Sequence, residues 1–422
     1  MTPDEKRLYA QSFPLHVGVD TGKSFHVLVA RGPDGSRSKP IKALVSRQGF
    51  DAALVELQAL YPGVEPAQSL VGLEFAGHHG FTFAHHLAQQ GYQCVNILPA
   101  NTKRSKEVED NSPLKTDDKD AGVICDLLRR GIFVRFPFLK RPYTELRLLT
   151  AHRYRLTVEA TRYKNRLQGM LDLAWPELLQ HFCGLHKRTP RLILDRWPLP
   201  CDLLAASPRT VMAFVKRASR GQVDRDHVKA LIEATRTTIG LPDASEERRL
   251  EIRNILSRWA LLREQLADLD ARIAAVVEEC PEAKVLLTVP SVGVVCAATL
   301  VAELGTPEDF EHWRQVVKLA GMNIVTSSSG HRPQSITPKW QSKRGRPMLR
   351  RQLFLLAGRW CQTDGLYREH YLALRSRNGN LGTHAVCSIA RKMVPMLLAV
   401  MQRRRPFDLE RWQANRHQKD AA

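Results

Sequence analysis

Residues 16–30 read HVGVDTGKSFHVLVA, and this stretch decides the fold class. Two β-rich runs, 16–20 and 25–30, flank Thr21-Gly22-Lys23-Ser24, a turn-forming tetrapeptide that folds them into a hairpin. Working outward, PIKALVS (40–46) supplies a third strand, and RQGFDAALVELQALY (47–61) a helix that Pro62-Gly63 ends. LVGLEF (70–75) is a nearly continuous apolar run, as expected of a strand buried on both faces. A helix near 79–90, a strand YQCVNIL (92–98), a polar segment 100–116 and a helix from about 117 follow.

Three hairpin-connected strands, then helix, strand, helix, strand, helix, is the order of the ribonuclease H fold. The N-terminal part is therefore predicted to be α/β. Two long helices come next. In 144–173, Leu149, Leu156, Tyr163 and Met170 recur every seven residues, with Arg153, Arg155, Arg162, Lys164 and Arg166 between them. In 245–280, Ile252, Trp259, Leu266 and Ile273 form one series, and Ile255, Leu262, Leu269 and Val276 another. Such seams predict a coiled coil, as an antiparallel hairpin or a subunit contact; an ordinary amphipathic helix packed in its own domain fits the same spacing. Between them, 175–244 is rich in Pro and Trp-Pro pairs and reads as a small helical insertion of unassigned role. From 284, VLLTVPSVGVVCAATLVAELG resembles half of a helix-hairpin-helix. Its turn Pro290-Ser291-Val292-Gly293 suits either a phosphate contact or a plain helix connection. Basic helices run to about 404.

The hydrophobic fraction of 43% and charged fraction of 25% exclude wholesale disorder and fibrous classes. The 63 Lys and Arg against 43 Asp and Glu give +20, which points to a polyanionic partner. The excess is uneven: residues 331–422 hold 19 basic and 5 acidic side chains. Eight cysteines without a C-x-x-C pair support neither a disulfide framework nor a zinc knuckle, and read as reduced thiols. Neither a signal peptide nor a run of 18 apolar residues is visible, so a soluble intracellular protein without a membrane partner is expected.

Four acids stand out on this frame. Asp20 closes the first strand, Glu74 sits near the end of LVGLEF, and Asp117 and Asp120 share one face at the start of the helix from 117. A carboxylate ending a buried strand is costly unless it meets a cation. Four carboxylates balance two divalent ions, the requirement of a two-metal phosphodiester clamp, and Mg2+ suits all-oxygen ligands. Turn formation by Asp20 and helix capping by Asp117 or Asp118 are the plainer alternatives, with Asp118 expected to face solvent. His78, His79, His85 and His86 lack the partners and separation of a structural zinc site and suit nucleic-acid contact or a helix surface. Lys339, Lys343, Arg344, Arg346, Arg350 and Arg351 with Trp340 combine cations and a stacking ring suited to nucleic-acid backbone binding. The run Arg403-Arg404-Arg405 fits that role or a solvated helix end.

The strings VGVDTGK, LEFAG and KTDDKDA, with TVPSVG…AATLVAELG, LAGM…SSSG and RGRPMLRRQL downstream, resemble the DEDD transposases of the insertion sequence 110 family. That family includes Piv-type DNA invertases and bridge-RNA-guided recombinases. The resemblance covers about 1–135 and 284–405. It implies a RuvC-like domain carrying Asp20, Glu74, Asp117 and Asp120, a central α-helical coiled coil, and a mainly α-helical C-terminal transposase domain supplying a catalytic serine. That serine falls on Ser329 before Gly330, with Ser328 in reserve and His331 as a proton carrier or a phosphate contact. The implied division is 1–135, 141–283 with the insertion at about 175–244, 284–405, and a tail 406–422. Two departures are visible: Glu74 is followed by Phe75-Ala76-Gly77-His78-His79 where the family has threonine and tyrosine, and Pro290-Ser291-Val292-Gly293 replaces a Pro-Gly-x-Gly turn.

The resulting expectation is a DNA transposase or site-specific recombinase. It would cleave and rejoin DNA with Mg-bound carboxylates and a serine that forms a covalent phosphoserine link. The resemblance adds a guide (bridge) RNA, a dimer or tetramer, and a bacterial cytoplasmic, nucleoid-associated location. A RuvC-like endonuclease using metal-activated water, and a non-catalytic nucleic-acid-binding protein, are the competing readings.

Overall fold

The computed structural model describes residues 1–412 except 76, 110–116, 136–139, 183, 186, 243–244, 327–338, 363–366 and 378–381. It divides into two compact units, Met1–Phe138 and Leu139–Ala422.

Unit one is built on the hairpin. Strands β1 (Leu15–Thr21), β2 (Phe25–Arg31) and β3 (Ile41–Leu44) pair antiparallel in sequence order. Helix α1 (Pro3–Gln11) precedes them, and α2 (Arg47–Leu60) follows. Strand β4 (Ser69–Glu74) then pairs parallel to β1, and after α3 (Phe81–Gln89), β5 (Gln93–Ile97) pairs parallel to β4. Helices α4 (Pro99–Glu109) and α5 (Asp117–Arg129) lead to β6 (Val134–Arg135), antiparallel to β5. The sheet order is β3-β2-β1-β4-β5-β6. Helices α1 and α4 and strand β6 are additions to the sequence reading, α4 lying inside the segment read only as polar.

Both sheet faces are covered, which explains the continuous apolar runs of β1 and β4. Val17, Val19, Leu28, Val71 and Leu73 pack with Phe50, Leu54 and Leu57 of α2 and Phe83 and Leu87 of α3. On the opposite face Leu70, Val95 and Ile97 meet Val123, Ile124, Leu127 and Leu128 of α5. Burying four aliphatic side chains of one helix is worth roughly 6–12 kcal/mol before chain entropy is subtracted, so α5 is held to the sheet by its apolar stripe. Gly18 permits the close approach: a Cβ there would lie 2.2 Å from the Ala121 carbonyl oxygen.

One core position opposes charge. His26 is 1% exposed, its ring stacked 5.7 Å from Phe50 and tilted against Phe83 at 5.3 Å, and neither ring nitrogen has a hydrogen-bond partner among the described residues. Burial, aided by the repulsion of His79, pushes its pKa down from 6.5 to about 4. The folded state therefore binds fewer protons than the unfolded one between those values. Stability is complete above pH 6.5 and falls as pH drops toward 4, by up to roughly 3 kcal/mol. His26→Phe is expected to flatten this acid limb in thermal melts of the full chain. It will not abolish the limb, because burial also lowers the pKa of His16. An unchanged acid limb would exclude His26 as its source.

Unit two opens on α6 (Tyr143–Ala174). The insertion contributes α7 (Pro176–His181), α8 (Arg188–Arg196), α9 (Pro200–Ala205), α10 (Pro208–Ala218) and α11 (Arg225–Arg236), before α12 (Ser245–Glu278). Helices α6 and α12 run antiparallel: Arg153 pairs with Asp270, Arg166 with Glu251 at 2.5 Å, and Arg258 donates to the Tyr163 hydroxyl at 3.0 Å. Leu156, Leu262 and Leu269 fill their seam, with Leu149, Tyr163 and Leu266 at its edges. The distal ends close over the insertion core, where Trp175 is fully buried and donates to Thr235 at 3.2 Å.

The remainder is α13 (Pro281–Leu286), α14 (Val294–Leu304), α15 (Trp313–Leu319), the hairpin β7 (Ile324–Thr326) and β8 (Lys339–Gln341), α16 (Pro347–Gln362), α17 (Arg368–Arg377) and α18 (Gly382–Arg403). Ser291, in the turn before α14, adopts φ 63°, the left-handed conformation usually left to glycine. Helix α18 is the one described helix long and apolar enough to cross a membrane, and half of that stretch is buried, as in a core helix. Its Ile389, Met393, Val394, Leu397 and Met401 join the core of α14 and α16.

Candidate active site and nucleic-acid interface

The carboxylates are positioned by strand register. Asp20 and Glu74 are direct partners in the parallel pairing of β1 and β4. Side chains alternate along a strand, so Asp20 points to the same face as Gly18, and Glu74 to the same face as Gly72. Both glycines lie under α5: a Cβ on Gly18 would strike Cys125, and one on Gly72 would touch Leu128 at 3.4 Å. Asp20 and Glu74 thus share the α5 face at the C-terminal edge of the two strands. The Thr21 hydroxyl donates to the Glu74 carbonyl at 2.6 Å and ties the strand ends together.

Asp120, in the first turn of α5 beside Ala121, presents a third carboxylate from the helix covering this face, and is 4% exposed. Asp117 begins the same helix; the placement of its side chain lies outside the described residues, as do Ser328, Ser329, Gly330 and His331. Asp118 faces solvent, and its carbonyl accepts from Arg37 at 3.1 Å.

A residue that the sequence reading passed over completes this corner. Lys106 of α4 forms an ion pair with Asp120, bringing a cation to a nearly buried carboxylate. The signal was present in the KRSK string of 103–106, but without α4 nothing placed it near Asp120. Arg37 is the second such group: a Cβ on Gly122 would lie 2.3 Å from its guanidinium, so the arginine crosses the first turns of α5. Cys125 beneath them is unreactive, its thiol pushed up to about 12, mainly by burial.

Asp20, Glu74 and Asp120 offer oxygen donors alone, the ligand chemistry of Mg2+, which keeps several waters and needs few protein carboxylates. Among the described residues no group of three or more His, Cys, Asp or Glu side chains is already gathered closely enough to hold a metal. The donor chemistry fits Mg2+, with Lys106 as the resident counter-charge on Asp120. The four histidines do not converge: His86 meets Asp51 at 2.9 Å, His85 is exposed, and His78 and His79 pack on each other at 4.2 Å.

In unit two, the basic positions separate by environment. Arg346 bonds the Glu303 carbonyl oxygen, and burial pushes its pKa down. Arg350 donates to the carbonyls of Ala320 at 2.9 Å and Lys343 at 3.1 Å, closing the loop before α16. Arg351 lies 5.0 Å over the Tyr154 ring. Lys343, Arg344 and Trp340 are exposed. Lys339 lies in β8, and its side chain is outside the described residues. Arg404 is exposed but paired, bridging Glu282 at 2.6 Å and Glu308 at 3.1 Å.

Comparisons with known proteins bracket both regions. A model of the DEDD type for the insertion sequence IS110, described as a transposase, matches residues 17–176, and one described as "Transposase IS116/IS110/IS902 family" matches residues 283–372. The first spans all four acidic positions, the second Ser329 and the basic segment. The chain is 30% identical over 295 residues to the insertion element IS110 uncharacterized 43.6 kDa protein of Streptomyces coelicolor, covering 68% of this chain and 71% of that one. Over 405 residues it is 27% identical to the insertion element IS116 uncharacterized 44.8 kDa protein of Streptomyces clavuligerus, with 93% and 96% covered. The insertion element IS900 uncharacterized 42 kDa protein of Mycobacterium paratuberculosis is 24% identical over 398 residues, with 92% and 96% covered.

Proposed function

The chain belongs to the IS116/IS110/IS902 family of transposases, and from that premise we propose that it cleaves and rejoins DNA by Mg2+-dependent phosphoryl transfer with a serine nucleophile. The observation carrying this reading is the in-register pair Asp20 and Glu74 on the face that α5 covers with Asp120. The sheet order, three antiparallel strands followed by two parallel ones, supports a RuvC-like, ribonuclease H reading of unit one. The antiparallel seam of α6 and α12 supports the coiled-coil reading of 141–283. We assign 1–135 to cleavage, 284–405 to the serine-bearing part, and 406–422 to a tail.

Asp20, Glu74, Asp117 and Asp120 would hold two Mg2+ ions, which when bound supply charge neutralisation at the scissile phosphate. The protein's own step is a substitution at phosphorus. The Ser329 oxygen forms a bond to the DNA phosphorus, the bond from phosphorus to a deoxyribose oxygen breaks, and the serine proton ends on the departing hydroxyl. Because one ester replaces another, bond energy is kept for rejoining. The partners are donor and target DNA, a guide RNA, and further copies of the chain as a dimer or tetramer, in the bacterial cytoplasm at the nucleoid.

The test uses the full chain purified from its host at low salt. Supercoiled DNA carrying an element junction should be cleaved and rejoined with Mg2+ and left intact with EDTA. Sequencing of co-purifying RNA should return one discrete species. Cleavage that persists in EDTA would overturn the metal reading, and absence of RNA at low salt would overturn guidance. Hydrolysed ends that never rejoin would favour the endonuclease reading.

A further inference from the structure

The helical insertion carries a cluster of arginines that its packing does not use. Helices α8 and α10 need only one face each for the core, through Ile193, Leu194, Val211 and Val215. On their other side Arg196, Arg209 and Arg217 line an open cleft of about 350 Å³ with Thr210, Ala213 and Phe214. The Arg196 guanidinium lies 4.9 Å over Phe214 and 5.1 Å over Trp197, and Arg217 lies 5.8 Å over Phe214. The two rings meet edge-on at 5.0 Å. Along α8 a second cleft of about 440 Å³ is lined by Arg188, Arg191 and Arg263 with Trp259, and Arg191 sits 5.4 Å over that indole.

Ordinary surface cations find carboxylates, and elsewhere in this region they do: Arg249 pairs with Asp202 at 2.7 Å, Lys229 with Asp226 at 2.9 Å and Arg236 with Glu233 at 3.0 Å. Among the described residues the six cleft arginines form no ion pair, and Asp195 is the one acid lining either cleft. Like charges gathered around one phenylalanine repel each other, so folding alone does not favour this arrangement. The rings fix the guanidinium planes in advance, which lowers the entropy lost on gripping an anion. Arg188 and Arg196 are eight residues apart, roughly 12 Å along the helix. A nucleic-acid strand presents a charge about every 3.4 Å, so one strand can engage both clefts.

We propose that this arginine–aromatic face of the insertion, on α8 and α10, binds the sugar-phosphate backbone of a nucleic acid. The inference rests on the reading of the chain as an enzyme acting on DNA, and it assigns a role to 175–244. Binding of the full chain is measured against salt for three probes: a duplex DNA, the same sequence as a single strand, and an RNA hairpin. For at least one probe R196A/R209A/R217A should lower the slope of log K against log salt by roughly 2–3, at about 0.7–0.9 for each phosphate no longer neutralised. The probe affected identifies the source of the phosphates. R196K/R209K/R217K, which keeps charge, should retain most of the slope. Arg209 has no aromatic partner among the described residues, so R209E leaves the packing intact and should lower the slope by itself. Slopes unchanged for R209E and the alanine triple on all three probes overturn the proposal. If Mg2+-dependent cleavage fails in the wild type while the slopes still respond, the catalytic reading falls and this site stands.

Discussion

Asp120→Asn is expected to reduce Mg2+-dependent DNA cleavage by at least about a thousandfold, equivalent to roughly 4 kcal/mol of transition-state stabilisation. An amide keeps the side-chain shape but removes the charge that Mg2+ and Lys106 both require. The same loss is expected for Asp20→Asn and Glu74→Gln, because the register places these two side by side on one sheet face. Asp120 is nearly buried and paired with Lys106, and breaking such a pair costs as much as 3–5 kcal/mol of stability. Its activity loss must therefore be separated from unfolding. Glu74, half-buried at a strand end, serves as the second variant: Glu74→Gln should melt close to the wild type and still fail to cleave. Lys106→Ala provides the converse. It removes the same ion pair, so it should share the destabilisation of Asp120→Asn, yet keep cleavage because all four carboxylates remain. Full cleavage by Glu74→Gln, measured on supercoiled substrate with melting unchanged, would remove that residue from the catalytic set.

The parts of this fold legible in the sequence are those whose burial is apolar. The strands β1 and β4 are buried on both faces, and their continuous hydrophobic runs carry that directly. Helix α5 shows its stripe of Val123, Ile124, Leu127 and Leu128. Helix α4 had no such signal, because among the described residues those it buries are Thr102 and Ser105. Lys106 was invisible for the same reason. Strand β6 is two residues long, below any periodicity. The pairing of Asp20 with Glu74 was readable only as fold order; their common face depends on Gly18 and Gly72 admitting α5. The arginine face was hidden by averaging. Residues 175–244 hold 11 basic and 7 acidic side chains, a small excess beside that of 331–422, but several of those acids are already committed: Asp202 to Arg249, Asp226 to Lys229, and Glu177 to the Thr238 hydroxyl at 2.6 Å. The net charge conceals which cations are left without a partner.

The second large effect concerns a side chain carrying no charge. Ser329→Ala is expected to abolish strand transfer, by about four orders of magnitude or more, while leaving DNA affinity and its salt slope unchanged. A neutral hydroxyl releases no counterions, whereas in the proposed mechanism the phosphoester bond is conserved through the serine oxygen. This pattern is opposite to that of the arginine variants, which alter the slope, and distinct from the carboxylate variants, which alter metal dependence. Wild-type protein stalled on a nicked junction should yield a covalent protein–DNA adduct, and peptide mass analysis should place the nucleotide on Ser329. An adduct on Ser328 would move the nucleophile by one residue without changing the mechanism. Water as nucleophile predicts something else: Ser329→Ala would cleave at the wild-type rate, no adduct would form, and the products would end in free phosphate. Rejoining separates the two chemistries most sharply. A hydrolysed end has lost the ester energy and stays broken without an added cofactor, whereas a phosphoserine-linked end can be resealed by a DNA hydroxyl alone. Rejoined product made by Ser329→Ala in the absence of any nucleotide cofactor would therefore exclude the serine mechanism outright.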